Sequence, residues 1–540
     1  MKKNIILLFT TLLVFTYGCE LTNLDKLDSP NNLTADAVEI NYALNALQVD
    51  FVNMTAGRYA DNNQGFNVSA MRACRMLHLF GTYNGPFSDM RSTSSNNLWE
   101  WAYMGVLKNA DLVVSIAEEG ENYHTGIAKV LKAYTMATLV DYFVDVPYTE
   151  ALDGENNFNP RPDDGAAIYA AALTILDEAI ADFNAGTPGG LPNDYFYNND
   201  ATRWIKLANS IKLKMHLNMR LTNASASTTA INAIIASGNY ISSTADDFQF
   251  QFSAIGANPD SRHPEFIDTY GAGGAGSYYM SNYFIWLLKD SKANWDPRIR
   301  YYLYRQIDED PEGDDLPCDG YGYDYCYLGD YYRGRDHADD FGVPPINLER
   351  TTWGVYPIGG AFDDDDFASV PNNQGAQGAG IFPGMLSSYV NFMLAEAALT
   401  LGTTGDARTY YENGITQSIN KVMAFGAAEA AGSPNIPTST DVDDYIAEAL
   451  GLYDAAATDT ERLDIAMTEY LLALWGNGIE LYNMYRRTGM PSTMQSPVIA
   501  AGAFPRSYPY PGNLVDRNNN FSQKVVTETV FWDNGSTDLD

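Results

Sequence analysis

Helical periodicity that comes in consecutive pairs constrains this chain more than any other feature. Leu98, Trp101, Ala102, Val106, Leu107, Ala110 and Val113 recur at three- and four-residue steps within 97–119. Val130, Ala133, Tyr134, Ala137, Leu139 and Val140 repeat the pattern within 125–144. That spacing places apolar residues on one face of an α-helix. After a break rich in Gly, Asn and Pro to Pro162, Asp163 or Asp164 can cap a third helix whose stripe is Ala167, Ala171, Ile175, Ala179 and Phe183. A fourth follows over 201–221 with Trp204, Leu207, Ala208, Ile211, Met215 and Met219.

Two further pairs lie downstream, 386–401 with 405–425 and 441–450 with 460–475. Small residues on one helix face large ones on the next, across connections of a few residues. This resembles tetratricopeptide pairing, with spacing too irregular for the consensus. The fold class expected is therefore all-α, with four irregular tetratricopeptide-like helix pairs supporting long loop-rich insertions.

Between the halves, 245–385 is rich in Gly, Pro, Asp and aromatics and has little helical periodicity apart from 279–291. Of the 37 tyrosines, 13 lie between 270 and 332, which places the expected working surface in this block. With 33 basic and 68 acidic side chains the net charge is -35, which excludes a nucleic-acid binder.

The first residues read as an address. Met1-Lys2-Lys3 is followed by an apolar run from Asn4 to Phe15, too short to span a bilayer, and then Gly18-Cys19. Residues 1–18 are read as a signal peptide and Cys19 as the lipidated N-terminus of a single domain, 19–540. Within it, 97–221 and 386–475 form the scaffold, 245–385 the loop-rich insertion and 476–540 a C-terminal segment. Cys318 and Cys326, eight positions apart in a Gly/Tyr/Asp loop of an exported chain, are expected to form a disulfide. A metal site is the weaker alternative, because a second thiol pair is lacking. Cys74 reads as a buried thiol.

Catalytic templates are missing. The five histidines are dispersed without HExxH, and there is no GxSxG elbow or Walker loop. Gly271-Ala272-Gly273-Gly274-Ala275-Gly276 fits a dinucleotide fingerprint in letters only, lacking a βαβ context. The chain is read as a binder, not an enzyme, and no cofactor is required. A glycosidase, which needs only two carboxylates, stays as an alternative. Asp363 to Asp366, and Asp308-Glu309-Asp310 with Asp314-Asp315, are candidate Ca²⁺ ligands by clustered hard oxygens.

The loops offer aromatic faces beside planar hydrogen-bonding groups, the chemistry that suits a sugar ring with apolar faces and hydroxyl edges. The ligand-binding candidates are Tyr83, Asn84, Arg91, Tyr278, Tyr279, Trp295, Tyr321, Tyr323 and Trp353. Trp99, Trp101, Trp204 and Trp475 read as helix packing.

Several blocks then carry a family resemblance. Leu131-Lys132-Ala133-Tyr134 through Asp141-Tyr142-Phe143-Val144-Asp145-Val146-Pro147-Tyr148 is one, with Val144 where Gly is usual. Arg203-Trp204 to Arg220-Leu221 is the next. Gly334-Arg335-Asp336-His337-Ala338-Asp339, with Ala338 replacing a usual Gly, and Arg350 to Pro357 form a central loop. Glu480 to Pro491 and Val530-Phe531-Trp532-Asp533 close the series. In this order, behind a lipidation signal, they resemble the SusD/RagB-type outer-membrane lipoproteins of Bacteroidota across nearly the whole mature chain.

The resemblance implies a cell-surface lipoprotein that captures glycan and acts as the lid of a SusC-like TonB-dependent transporter. It carries no binding residues with it, and makes Arg486, Arg487 and Trp532 scaffold or partner-facing. The chain's acidity favours neutral glycans over sulfated or uronic ones. A RagB-like peptide carrier, anchored by Arg262 or Arg333, is the alternative, followed by a lid that binds no cargo of its own.

Overall fold

The computed structural model describes residues 38–539, apart from 59–64, 86–89, 155, 258, 272–277, 314–317, 319, 342–347 and 372. The signal segment, Cys19, most of the Gly271–Gly276 loop and the Asp314-Asp315 pair lie outside the described residues.

Helix α1, Ile40–Ala56, buries Leu44, Leu47, Phe51 and Met54, and α2 is Gly65–Ala73. Helix α3 runs on through Ser95–Glu100, a π-wound stretch Trp101–Leu107 and Lys108–Ile116. Then come α4 (Asn122–Phe143), α5 (Gly165–Ala185), α6 (Ala201–Asn218) and α7 (Ala224–Ser237). Short α8 (Pro264–Thr269), α9 (Asn282–Lys289) and α10 (Ile299–Tyr302) follow. The C-terminal half holds α11 (Ser387–Leu401), α12 (Ala407–Phe425), α13 (Ser439–Ala455), α14 (Asp459–Ala473), α15 (Gly478–Thr488) and α16 (Gly512–Arg517).

The four expected pairs, α3/α4, α5/α6, α11/α12 and α13/α14, are all in contact, and α4 packs against α5 to join the first two. Small-against-large packing sets the distances. A Cβ at Gly126 of α4 would lie 2.8 Å from the Phe183 ring of α5, and one at Gly414 of α12 would lie 2.9 Å from the Phe392 ring of α11. Each glycine is therefore the hole for a knob. Helix starts follow local chemistry. Asp164 caps α5 by accepting from the Ala167 N–H, and Thr438 and Thr458 form capping boxes with Asp441 and Glu461. Asp163 does not cap. It accepts the Tyr148 (2.8 Å) and Thr149 (3.0 Å) N–H groups and fixes the turn after Pro147.

The central block has more order than its composition suggests. Strand β1, Phe248–Gln251, pairs antiparallel with β4, Ile381–Met385, so the block leaves and re-enters the scaffold at one place. Inside it, β2 (Leu303–Tyr304) pairs with β3 (Thr352–Trp353).

Four of the five blocks that carried the resemblance, all but the central loop, meet in a buried polar network. Asp141 of α4 accepts from the Trp532 indole (2.8 Å), the Asn483 amide (2.7 Å) and the Tyr169 hydroxyl. The Tyr169 oxygen accepts from Asn218 (3.2 Å), whose own oxygen accepts from Arg487 (2.6 Å). Arg487 forks onto Glu396 at 2.6 and 2.7 Å, which Arg220 also reaches at 2.9 Å. Burial alone would raise the Glu396 carboxyl, but Arg487 and Arg220 hold it below the usual range. Arg486 and Trp532 are fully buried here too, so these three residues are scaffold. Val144 and Ala338, which stand where glycine is usual, both keep glycine-like backbone, with φ of 75° and 67°.

Candidate ligand-binding site

Four of the rings proposed from sequence are buried, and their role as ligand platforms is corrected accordingly. Tyr83 hydrogen-bonds the His337 Nε2 at 3.1 Å and packs on Phe504. Tyr279 lies beneath the Arg350 guanidinium at 4.4 Å, and Tyr278 beneath Arg72 at 5.1 Å. Trp353, on β3, lies 4.3 Å from Trp475. The loops use these rings as their own core, a demand that any segment this long has to meet.

Tyr321 is different. Its ring is 56% exposed and stacks on Phe341, itself 42% exposed, with centroids 5.1 Å apart and planes 29° apart. Tyr323 also stacks with Tyr321, their centroids 5.7 Å apart. Tyr321 and Tyr323 were expected in a site; Phe341 was not.

The shelf is held from two sides. Cys318 and Cys326 are joined by a disulfide, closing the loop that carries both tyrosines. The Cys326 carbonyl accepts from Asn282 of α9 at 2.8 Å, and the Tyr325 N–H donates to Asp336 at 3.2 Å. Asp336 also accepts from Asn282 (2.9 Å) and Gln495 (2.6 Å), and burial raises its carboxyl above the usual range despite these bonds. On the second side, Arg335 pairs with Asp339 and donates to the Phe341 carbonyl at 2.6 Å, while Asp339 accepts the Phe341 N–H at 3.0 Å. The Gly334–Asp339 motif thus positions the shelf without touching what would lie on it.

Asn84 and Arg91 are exposed. Asn84 follows Gly81, whose N–H donates to the Ala338 carbonyl at 3.2 Å, so this segment abuts the turn leading into Phe341. Trp295 forms a second platform, 37% exposed, over Lys289 at 5.3 Å and against the edge of Tyr332. It is anchored on both flanks. Glu448 of α13 accepts from the Ala293 and Asn294 N–H groups at 2.7 and 2.9 Å, and Asp296 is buried against Arg298 at 2.6 Å.

The Ca²⁺ expectation at Asp363–Asp366 is also corrected. Arg305 forks onto Asp363 at 2.8 and 3.0 Å, and Asp365 takes Arg300 at 2.8 Å together with Arg305. These oxygens neutralise arginines and are not open to a cation. Asp310 accepts from the Tyr327 hydroxyl at 2.5 Å. Among the described residues no group of three or more His, Cys, Asp or Glu is arranged to hold a metal. The peptide anchors are engaged as well, Arg262 with Asp260 at 2.6 Å and Arg333 with Glu349 at 2.9 Å.

Comparison with known proteins agrees with this architecture. A SusD-like family profile described as "Starch-binding associating with outer membrane" matches residues 37–511. No curated protein matches the sequence. Among solved structures, a chitin-binding protein superimposes with a TM-score of 0.67 at 20% identity, over 92% of this chain and 100% of the other. A SusD/RagB family protein from Bacteroides thetaiotaomicron gives 0.67 at 19%, again over 92% and 100%. A chitin-binding SusD homologue from Flavobacterium johnsoniae gives 0.63 at 18%, with the same coverage. These likenesses establish the fold, and the family match over most of the chain establishes that this protein belongs to the SusD-like family of outer-membrane-associated proteins.

Proposed function

We propose that this protein captures extended glycan on the Tyr321–Phe341 shelf, with Trp295 as a second contact, and passes it to a SusC-like TonB-dependent transporter. A lipid on Cys19 would hold it at the cell surface. One observation carries the reading: two stacked, half-exposed rings are held in place, Tyr321 on a disulfide-closed loop bonded to the body through Asp336 and Phe341 by Arg335 and Asp339. The starch-binding description of the family and the chitin binding of two structural neighbours support the same ligand class. The arginines proposed as peptide anchors, Arg262 and Arg333, are already paired with carboxylates, and the reading is of a binder without turnover.

Covering roughly 50 Å² of ring with a sugar face is worth about 1 kcal/mol at about 25 cal/mol per Å². A single contact that weak releases readily. Several along one glycan multiply into useful avidity, which suits a protein that must hand its cargo on.

Affinity electrophoresis of the mature chain through α-glucan, β-glucan, mannan and xylan tests the proposal. Retardation by at least one polysaccharide should drop about tenfold in a Tyr321→Ala, Phe341→Ala variant and partly in Trp295→Ala. Retardation left unchanged in the double variant would remove the shelf from the site. Absence of retardation in every gel would shift the reading to peptide cargo or to a lid without cargo of its own.

A further inference from the structure

The charges around the shelf say more, given the glycan capture proposed above. Between residues 301 and 350 the chain has four basic side chains, Arg305, Arg333, Arg335 and Arg350, against thirteen acidic ones. All four arginines are buried. Each is also committed, Arg305 to Asp363 (2.8 Å), Arg333 to Glu349 (2.9 Å), Arg335 to Asp339 (2.8 Å) and Arg350 to the face of Tyr279 (4.4 Å). Lys289 beneath Trp295 is likewise shared between Asp290 (3.0 Å) and Asp330 (2.8 Å).

What faces water at the shelf is negative. Asp324 follows Tyr323, Asp340 precedes Phe341, and both are exposed. Asp340 registers on the shelf itself, among several groups: the Tyr323 hydroxyl is pushed above its usual range by burial, then by Asp339, Tyr321, Asp336 and Asp340. An anionic sugar stacked on Tyr321 would meet carboxylates, with the four arginines of 301–350 already committed elsewhere. A sugar bearing an ammonium would be drawn in, and neither effect exists for a neutral ring.

We infer that the shelf selects glycans by charge, taking amino sugars with a free ammonium best, neutral sugars next and uronic or sulfated sugars least. Asp324 and Asp340 are its specificity-determining residues. Both are exposed side chains away from the scaffold network, so replacing them with asparagine leaves the rings and their supports in place.

Calorimetric titration of the mature chain at pH 6 with β-1,4-linked hexamers of glucose, glucosamine and glucuronic acid holds the backbone fixed and varies only the charge. At low salt the glucosamine hexamer should bind about tenfold tighter than the glucose hexamer, and the glucuronic hexamer weaker than both. The glucosamine advantage should shrink to about twofold at half-molar salt, where the screening length falls to about 4 Å. It should also shrink in the Asp324→Asn, Asp340→Asn variant, with glucose binding unchanged. Equal affinities for all three, or preference for the uronic hexamer, overturns charge selection and leaves glycan capture standing. Binding by none of them overturns the selection, and unchanged polysaccharide retardation in the Tyr321→Ala, Phe341→Ala variant separately overturns the shelf.

Discussion

Asp141 is the residue whose removal tests the scaffold most sharply. It is fully buried and accepts three hydrogen bonds, from the Trp532 indole, the Asn483 amide and the Tyr169 hydroxyl, tying α4, α5, α15 and the C-terminal segment together. Asp141→Ala leaves three buried donors without an acceptor, each costing about 1–3 kcal/mol. Relief of the carboxylate's own desolvation offsets part of this, so a net loss of about 4 kcal/mol is expected. That is a large fraction of a total stability of about 5–15 kcal/mol. Trp532→Phe removes a donor and leaves no orphan on the donor side, so the lost hydrogen bond should cost only about 1 kcal/mol. Guanidinium unfolding followed by both far-ultraviolet circular dichroism and tryptophan fluorescence gives the comparison, coincident transitions licensing the free energies. An Asp141→Ala variant no less stable than Trp532→Phe would refute the hub, because orphaned donors would then cost nothing.

Three further outcomes are expected. His263 caps α8 by accepting the Glu265 N–H on Nδ1, and burial pushes the imidazole down to about 3. The unfolded chain protonates this group near pH 6.5 and the folded chain does not. Stability is therefore complete above pH 6.5 and is lost as pH falls toward 3, by about 1.4 kcal/mol per unit. A His263→Asn variant, still able to cap, should show a shallower acid limb in unfolding free energy against pH, and an unchanged limb would sink the assignment. Ala338 is fully buried at φ 67°. Glycine there trades strain against chain entropy and should change stability by less than about 1 kcal/mol, whereas valine should cost more than about 2 kcal/mol, measured by the same denaturation. Replacing Cys318 and Cys326 with serine should weaken glycan retardation at least tenfold while helical dichroism stays as it was. Full retention of binding would mean that the disulfide does not organise the shelf.

The helix pairs were legible because their stripes recur at helical spacing and their small residues meet large ones, as at Gly126 and Phe183. Helix α1 has the same kind of stripe in Leu44, Leu47, Phe51 and Met54, a signal the sequence reading passes over. The polar network was visible only as separate blocks. Nothing in the letters says that Asp141 and Trp532, 391 positions apart, are one hydrogen bond. Phe341 escaped for a related reason: a lone ring in Asp-Phe-Gly has no local pattern, and its stacking on Tyr321 depends on Asp336 and Arg335 folding the two loops together.

What separates shelf rings from buried ones is nevertheless partly local. Tyr278, Tyr279 and Tyr332 each lie under an arginine, from Arg72, Arg350 and Arg305, and a guanidinium lid lets a loop bury a ring without a large apolar core. Among the described residues no arginine lies over Tyr321, which sits between Gly320 and Gly322, whose φ values of 81° and 74° are open to glycine and costly for other residues. Two left-handed residues around one tyrosine turn the backbone sharply on both sides of it, inside the loop that the Cys318–Cys326 bond closes. The Gly-Tyr-Gly triplet inside a disulfide loop was therefore a better pointer to an exposed ring than the density of tyrosines, which chiefly measured how much core the insertion has to build for itself.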